Sequence, residues 1–130
     1  MTTGIIVFAH GSRIESANEA VRSVAADLAR AGGYPVVEAA FLELGTPSLE
    51  EAADLLVSRG VERIVIIPYF LTPGVHLERD LPAIVERIFN KHKDIQILVT
   101  APLDGHPGLV QILADRARTV LLSPTHSNNT

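Results

Sequence analysis

The chain contains no cysteine among its 130 residues, which excludes disulfides, thiolate catalysis and cysteine-ligated iron–sulfur clusters. It also lacks a basic surplus. Eleven Lys and Arg stand against fifteen Asp and Glu, a net charge of -4, and no basic stripe of the kind that tracks a nucleic-acid backbone is present. No apolar run approaches the roughly 18 residues of a membrane span, and no basic segment precedes the first apolar stretch. Neither a transmembrane helix nor a secretory leader is therefore expected, and the cytoplasm is the expected compartment. Three common signatures are missing as well: G-x-G-x-x-G, G-x-x-x-x-G-K-[ST] and the G-x-S-x-G nucleophile elbow.

What remains is an ordinary globular composition, 47% hydrophobic and 20% charged, at a length suited to one domain. Four Val- and Ile-rich apolar runs, at residues 4–9, 36–42, 61–71 and 95–101, alternate with four segments of helical period. Ile5-Ile6-Val7-Phe8 and Ile64-Val65-Ile66-Ile67 are continuously apolar, as expected of strands covered on both faces. In the first helical segment Ala17, Val21, Val24 and Leu28 share one face, with Ser12 and Glu15 as a capping box. Thr46-Pro47 reads as an N-cap followed by proline at the first helical position, and Leu49, Ala52, Ala53 and Leu56 form a stripe that stops at Gly60. Pro82 is expected to start the third helix, with Ile84, Val85, Ile88 and Phe89 inward, and Pro107 the fourth, with Leu109, Ile112, Leu113 and Val120 inward. The order β-α-β-α-β-α-β-α predicts an α/β domain over residues 1–122: an open, doubly wound, flavodoxin-like parallel sheet of four strands with helices on both faces. The polar tail 123–130 is expected to be frayed.

Ligands of such sheets bind beyond the carboxyl ends of the strands. Those ends carry His10, Glu43, the 69–76 loop and the Leu103-Asp104-Gly105-His106 turn. Two imidazoles, His10 and His76, with the Glu43 carboxylate make an N,N,O donor set that suits Co, Ni, Fe or Zn better than Mg or Ca. Each residue also has a plainer reading: His10 as a strand-end residue bonded to backbone, His76 as an exposed loop histidine, Glu43 as a solvated carboxylate. Gly11 opens room for a ligand, Ser12 and the first amides of the helix can hold a carboxylate, and Arg13 adds positive charge. Asp80, four residues beyond His76, could orient that imidazole if the helix begins early. His106 and His92 read as surface residues near helix ends. Spacing alone gives a metal or small-molecule site on a doubly wound sheet.

Three clusters go further: His10-Gly11-Ser12-Arg13; Phe41-Leu42-Glu43-Leu44 with Pro47-Ser48-Leu49; and Pro68-Tyr69-Phe70-Leu71 with Gly74-Val75-His76 and Asp80-Leu81-Pro82. Together they resemble the sirohydrochlorin chelatases of the short CbiX type and the related SirB proteins, class II chelatases, over roughly residues 4 to 120. The resemblance implies insertion of a divalent metal into sirohydrochlorin, towards cobalamin, sirohaem or a nickel cofactor. It implies no permanently bound cofactor, the Co2+, Fe2+ or Ni2+ ion being a substrate, and a homodimer around the tetrapyrrole cavity. His10 matches a metal ligand and proton acceptor, His76 a second metal-binding histidine, Glu43 an acidic catalytic residue, and Phe70, Leu71, Thr72, Pro73, Gly74 and Val75 the loop lying against the macrocycle. Ser12, Arg13 and Glu43 are expected to contact the substrate, with Arg13 and Arg79 answering its carboxylates. Thr72-Pro73 departs from the small residues of many relatives. The chemistry suits these residues, because insertion removes two pyrrole protons and an imidazole of ordinary pKa about 6.5 can accept one near neutrality. A non-enzymatic metal or tetrapyrrole carrier using the same histidines is the alternative. A phosphohistidine phosphatase is disfavoured, since Ala9 stands where its Arg-His-Gly motif needs arginine.

Overall fold

The computed structural model of the chain describes residues 1–72 and 74–122, with the backbone alone at His76. Eight elements follow in strict alternation: β1 (Thr3–Ala9), α1 (Glu15–Gly32), β2 (Val36–Phe41), α2 (Leu49–Ser58), β3 (Arg63–Pro68), α3 (Val75–Lys91), β4 (Gln96–Val99) and α4 (Gly108–Leu121). The strands form one parallel sheet in the order β2-β1-β3-β4. Chain order reverses at β1, so the crevice between the ends of β1 and β3 is the switch point where doubly wound sheets bind ligands.

Two cores flank the sheet. On one face, α2 and α3 pack Leu49, Ala52, Ala53, Leu56, Leu77 and Ile88 onto Ile6, Phe8, Ile64 and Ile66. On the other, α1 packs Ala25, Val21 and Leu28 onto Val7, Ala9, Ala39 and Phe41. β1 is buried on both sides, as its unbroken apolar run requires. β3 is not: Ile64, Ile66 and Pro68 are buried while Val65 and Ile67 are half-exposed. The reason is that α1 covers β1 and β2, whereas α4 buries no residue.

Several expected boundaries move. The buried phase of α1 runs through Asn18, Val21, Arg22 and Ala25, leaving Ala17 and Val24 exposed. Ser12 and Glu15 form no capping box: Ile14 is the N-cap, without a side-chain bond. Ser12 Oγ accepts from the Ile14 amide at 3.0 Å, while Glu15 turns to Arg22. The capping box lies instead at α2, where Ser48 and Glu51 bond reciprocally at 3.1 and 2.8 Å, displacing Thr46 as the N-cap. α3 starts at Val75 rather than Pro82, so Pro82 lies inside it. Burial of Leu77 in the first turn and the Glu78 N–H bond to Gly74 O at 3.0 Å hold that early start. The tail 123–130, expected to fray, lies outside the described residues. No helix among the described residues is long and apolar enough to cross a membrane.

Candidate functional site

The carboxyl ends of β1 and β2 continue their ladder beyond the strands. Leu42 N donates to Ala9 O at 2.9 Å and Glu43 N to His10 O at 3.1 Å, so His10 and Glu43 are backbone neighbours. Gly11 makes this approach sterically feasible. At φ +96° it lies so close to the next loop that a Cβ there would stand 1.6 Å from Glu43 O. His10 and Glu43 are both exposed, as is Arg13, while Ser12 is half-buried.

The end of β3 enters the same edge. Tyr69 N donates to Phe8 O at 2.7 Å, and the Phe70 ring meets the His10 imidazole edge-on at 6.4 Å between centroids. The carbonyls of Phe70 and Leu71 accept from Leu103 and Asp104 amides, both at 3.0 Å, tying this loop to the one after β4. Leu71, Thr72 and Val75 are exposed, Gly74 is the N-cap of α3, and Pro73 lies outside the described residues. His76 is the second residue of α3, on a helix turn rather than at a loop end. Asp80 falls one turn further along α3, 3.8 Å from Arg79 Nε.

Phe70 also begins a cleft of about 500 Å3 between α3 and the end of β4, lined by Leu77, Leu81, Val85, Phe89 and Val99 among others. That volume falls within the usual range for small-molecule and cofactor sites. Its walls are almost wholly apolar, with Glu78 and Glu86 as the charged lining residues.

Two further histidines among the described residues, His92 and His106, are engaged elsewhere. His106 Nδ1 accepts from the first amide of α4, Gly108 N, at 2.8 Å. His92, expected on the surface, is largely covered and bonds Asp54 Oδ1 at 2.7 Å at the far end of α3. Among the described residues no three His, Asp or Glu side chains cluster as a ready-made metal site. The edge therefore gathers His10, Glu43 and Phe70, and Phe70 shares its cleft with Leu77 of the first turn of α3. Sequence reasoning missed Asn18. It is buried, and its side chain bonds both the 10–13 segment and the loop after Glu43. The available signal was its position, at the buried phase shared with Val21 and Ala25.

An exposed imidazole at the switch point of a doubly wound parallel sheet, with a carboxylate on the next strand end and an apolar cleft nearby, defines an α/β protein with a small-molecule or metal site. The CbiX family model matches residues 4–120, and the chain belongs to this family. It is 36% identical over 118 residues to the chloroplastic sirohydrochlorin ferrochelatase of Arabidopsis thaliana, covering 91% of this chain and 52% of that protein. It is 35% identical to the sirohydrochlorin cobaltochelatase of Sulfolobus acidocaldarius, with 91% and 92% covered. Among solved structures, the sirohydrochlorin chelatase SirB of Bacillus subtilis subspecies spizizenii, in complex with cobalt, superimposes with a TM-score of 0.84 at 25% identity, over 92% of this chain and 51% of that one. The chain thus spans about half the length of the plant enzyme and of SirB, but nearly all of the archaeal enzyme.

Proposed function

We propose that this chain is a sirohydrochlorin chelatase of the cytoplasm that inserts a divalent ion, cobalt first and iron or nickel as alternatives, into the macrocycle. The observation that carries the reading is the place of His10: exposed at the end of the central strand, laddered to Glu43 and edge-on to Phe70, in a CbiX-family chain. Insertion exchanges the ion's ligands for ring nitrogens and releases two pyrrole protons. His10 binds the ion and accepts a proton, and His76, on the first turn of α3, supplies the second imidazole. Glu43, one backbone hydrogen bond away from His10, takes the other proton or balances the ion's charge. The macrocycle lies against Phe70 to Val75, with Ser12 and Arg13 facing its carboxylates. A second copy of the chain closes the site, and the uncovered α4 supports this homodimer.

Protein incubated with sirohydrochlorin and Co2+, Fe2+ or Ni2+, followed by absorbance, tests the reading. General-base and ligand loss in His10→Ala should slow insertion by at least about 10²-fold, within the range such groups contribute. His76→Ala should weaken it severely, both variants keeping the wild-type circular dichroism. Wild-type rates in both would overturn the site, and metal binding without accelerated insertion would favour a carrier.

A further inference from the structure

We infer that Asn18 is the positioning residue that locks His10 and Glu43 in one register for metal insertion; the inference rests on the chelatase reading above. Asn18 is 2% exposed, the one fully buried polar side chain among the described residues. A carboxamide offers one acceptor oxygen and two N–H donors, and every one is used across two loops. Its Oδ1 accepts from Ser12 N at 2.9 Å, and its Nδ2 donates to Ser12 O and Leu44 O, both at 2.9 Å, with Glu15 Oε1 further off at 3.3 Å. Ser12 is two residues beyond His10, and Leu44 is one beyond Glu43. The same amide therefore grips the chain just past both candidate catalytic groups.

The neighbourhood is built around this grip. Leu44 holds φ 58°, a left-handed conformation that a branched residue adopts only under constraint, and its carbonyl is one of the two that Asn18 binds. A Cβ on Gly45 would stand 3.1 Å from Nδ2, so this loop lies directly on the amide. One turn further along α1, Arg22 donates to Thr46 O at 3.1 Å and stacks over Phe41 at 5.2 Å. Its other guanidinium nitrogen meets Glu15 at 2.6 Å. Glu15, Asn18 and Arg22 thus form a polar stripe on α1, facing the β2–α2 loop. An apolar residue at position 18 would fill the space but leave Ser12 N, Ser12 O and Leu44 O without this partner, at a cost of about 1–3 kcal/mol for each buried group left unsatisfied. What only the amide supplies is direction: it fixes how far the Glu43 loop lies from the His10 loop.

The test is Asn18→Asp, which keeps the shape but removes both donors, in wild-type and Glu43→Gln backgrounds. Ile88→Ala serves as a control destabilised elsewhere in the core. Cobalt insertion is measured at a temperature where every variant is folded, with Asn18→Ser replacing Asn18→Asp if the buried carboxylate prevents folding. Misplacement of the order of an ångström can lower rates by up to about 10²-fold, so kcat should fall about 10- to 100-fold with KM nearly constant. In the Glu43→Gln background the further loss should shrink to less than about threefold, the non-additivity of residues acting as one unit. Ile88→Ala should leave kcat unchanged. A full loss in both backgrounds, or an equal loss in Ile88→Ala, overturns the inference. Amide hydrogen exchange provides a readout that needs no turnover: exchange at Glu43 should quicken in Asn18→Asp, while Ser12, whose N–H keeps its Oδ1 acceptor, and Ile6 and Ile66 keep their protection. Unchanged exchange at Glu43 overturns the clamp even if activity falls. An inactive wild type removes the chelatase reading and, with it, the catalytic role of Asn18, while exchange still decides the clamp.

Discussion

Gly11 shows how much of this site is set by one missing side chain. Its positive φ strains any L residue, and a Cβ would overlap Glu43 O outright. The only relief is to push the Glu43 loop away, which breaks the Glu43 N–H bond to His10 O. Gly11→Ala should therefore destabilise by about 1–3 kcal/mol and lower cobalt insertion by up to about 10²-fold. Gly60→Ala separates the two effects, since Gly60 has the same kind of φ, +85°, with nothing within 4 Å of a new Cβ. It should show the backbone penalty in a thermal melt and full activity; matching activity losses would mean that the Gly11 contact is irrelevant to the site. His10 and Gly11 were legible in the sequence because they follow an unmistakable strand. Asn18 was not, because hydrophobic periodicity sees only apolar residues and placed the buried face through Ala17 and Val24. The polar stripe of Glu15, Asn18 and Arg22 was hidden in the gaps of that pattern.

At the level of elements, Ser12–Glu15 and Ser48–Glu51 both carry the S-x-x-E pattern of a helix start, and the partners open to each glutamate decide between them. Glu51 meets no competing cation among the described residues and closes its box with Ser48, whereas Glu15 is drawn to Arg22 and Asn18, which hold its carboxyl below the usual range. Likewise a proline at 82 suits a helix start, yet Leu77 anchors an earlier turn in the core and carries His76 into α3. The far ends of α2 and α3 are joined by Asp54, which meets Lys91 Nζ at 2.8 Å and His92 Nε2 at 2.7 Å. The Lys91 hydrogen bond first, then that of His92, holds the Asp54 carboxyl below its ordinary value. A carboxyl depressed on folding adds stability above its unfolded pKa, near 3.9, and loses it as pH falls through the lower folded value. The stability difference between wild type and Asp54→Asn should thus be present at about pH 5 and close below about pH 4 in urea titrations. With Asp54 40% exposed, solvent screening keeps the difference under about 1 kcal/mol. A difference that persists unchanged at pH 2–3 would show that the pair does not depend on this charge.

For the whole molecule, the sequence foretold the alternating sheet and even the apolar face of α4, but not that this face would find nothing to cover in its own chain. Val110 and Leu113 are each 69% exposed and Leu121 78%, while β4 keeps Leu98 and Val99 open and β3 leaves Val65 and Ile67 half-covered. Isolated exposed apolar residues are ordinary, but a helix and a sheet edge bare together are not. Periodicity reports which residues want burial and cannot report which chain provides it. The chain spans about half of SirB, so two copies match the length of that one polypeptide. If a second copy covers α4, Leu113→Glu with Val120→Glu places two charges in the interface without touching either core cluster of the monomer. Wild type should then sediment at twice the chain mass, with an unfolding midpoint that rises with protein concentration. The double variant should sediment as a folded monomer with a concentration-independent midpoint. Its cobalt insertion should fall with the dimer, because the wall opposite His10 leaves with the partner. A monomeric wild type at tens of micromolar would end the two-copy site, and a monomeric variant of full activity would show that one chain holds the macrocycle alone.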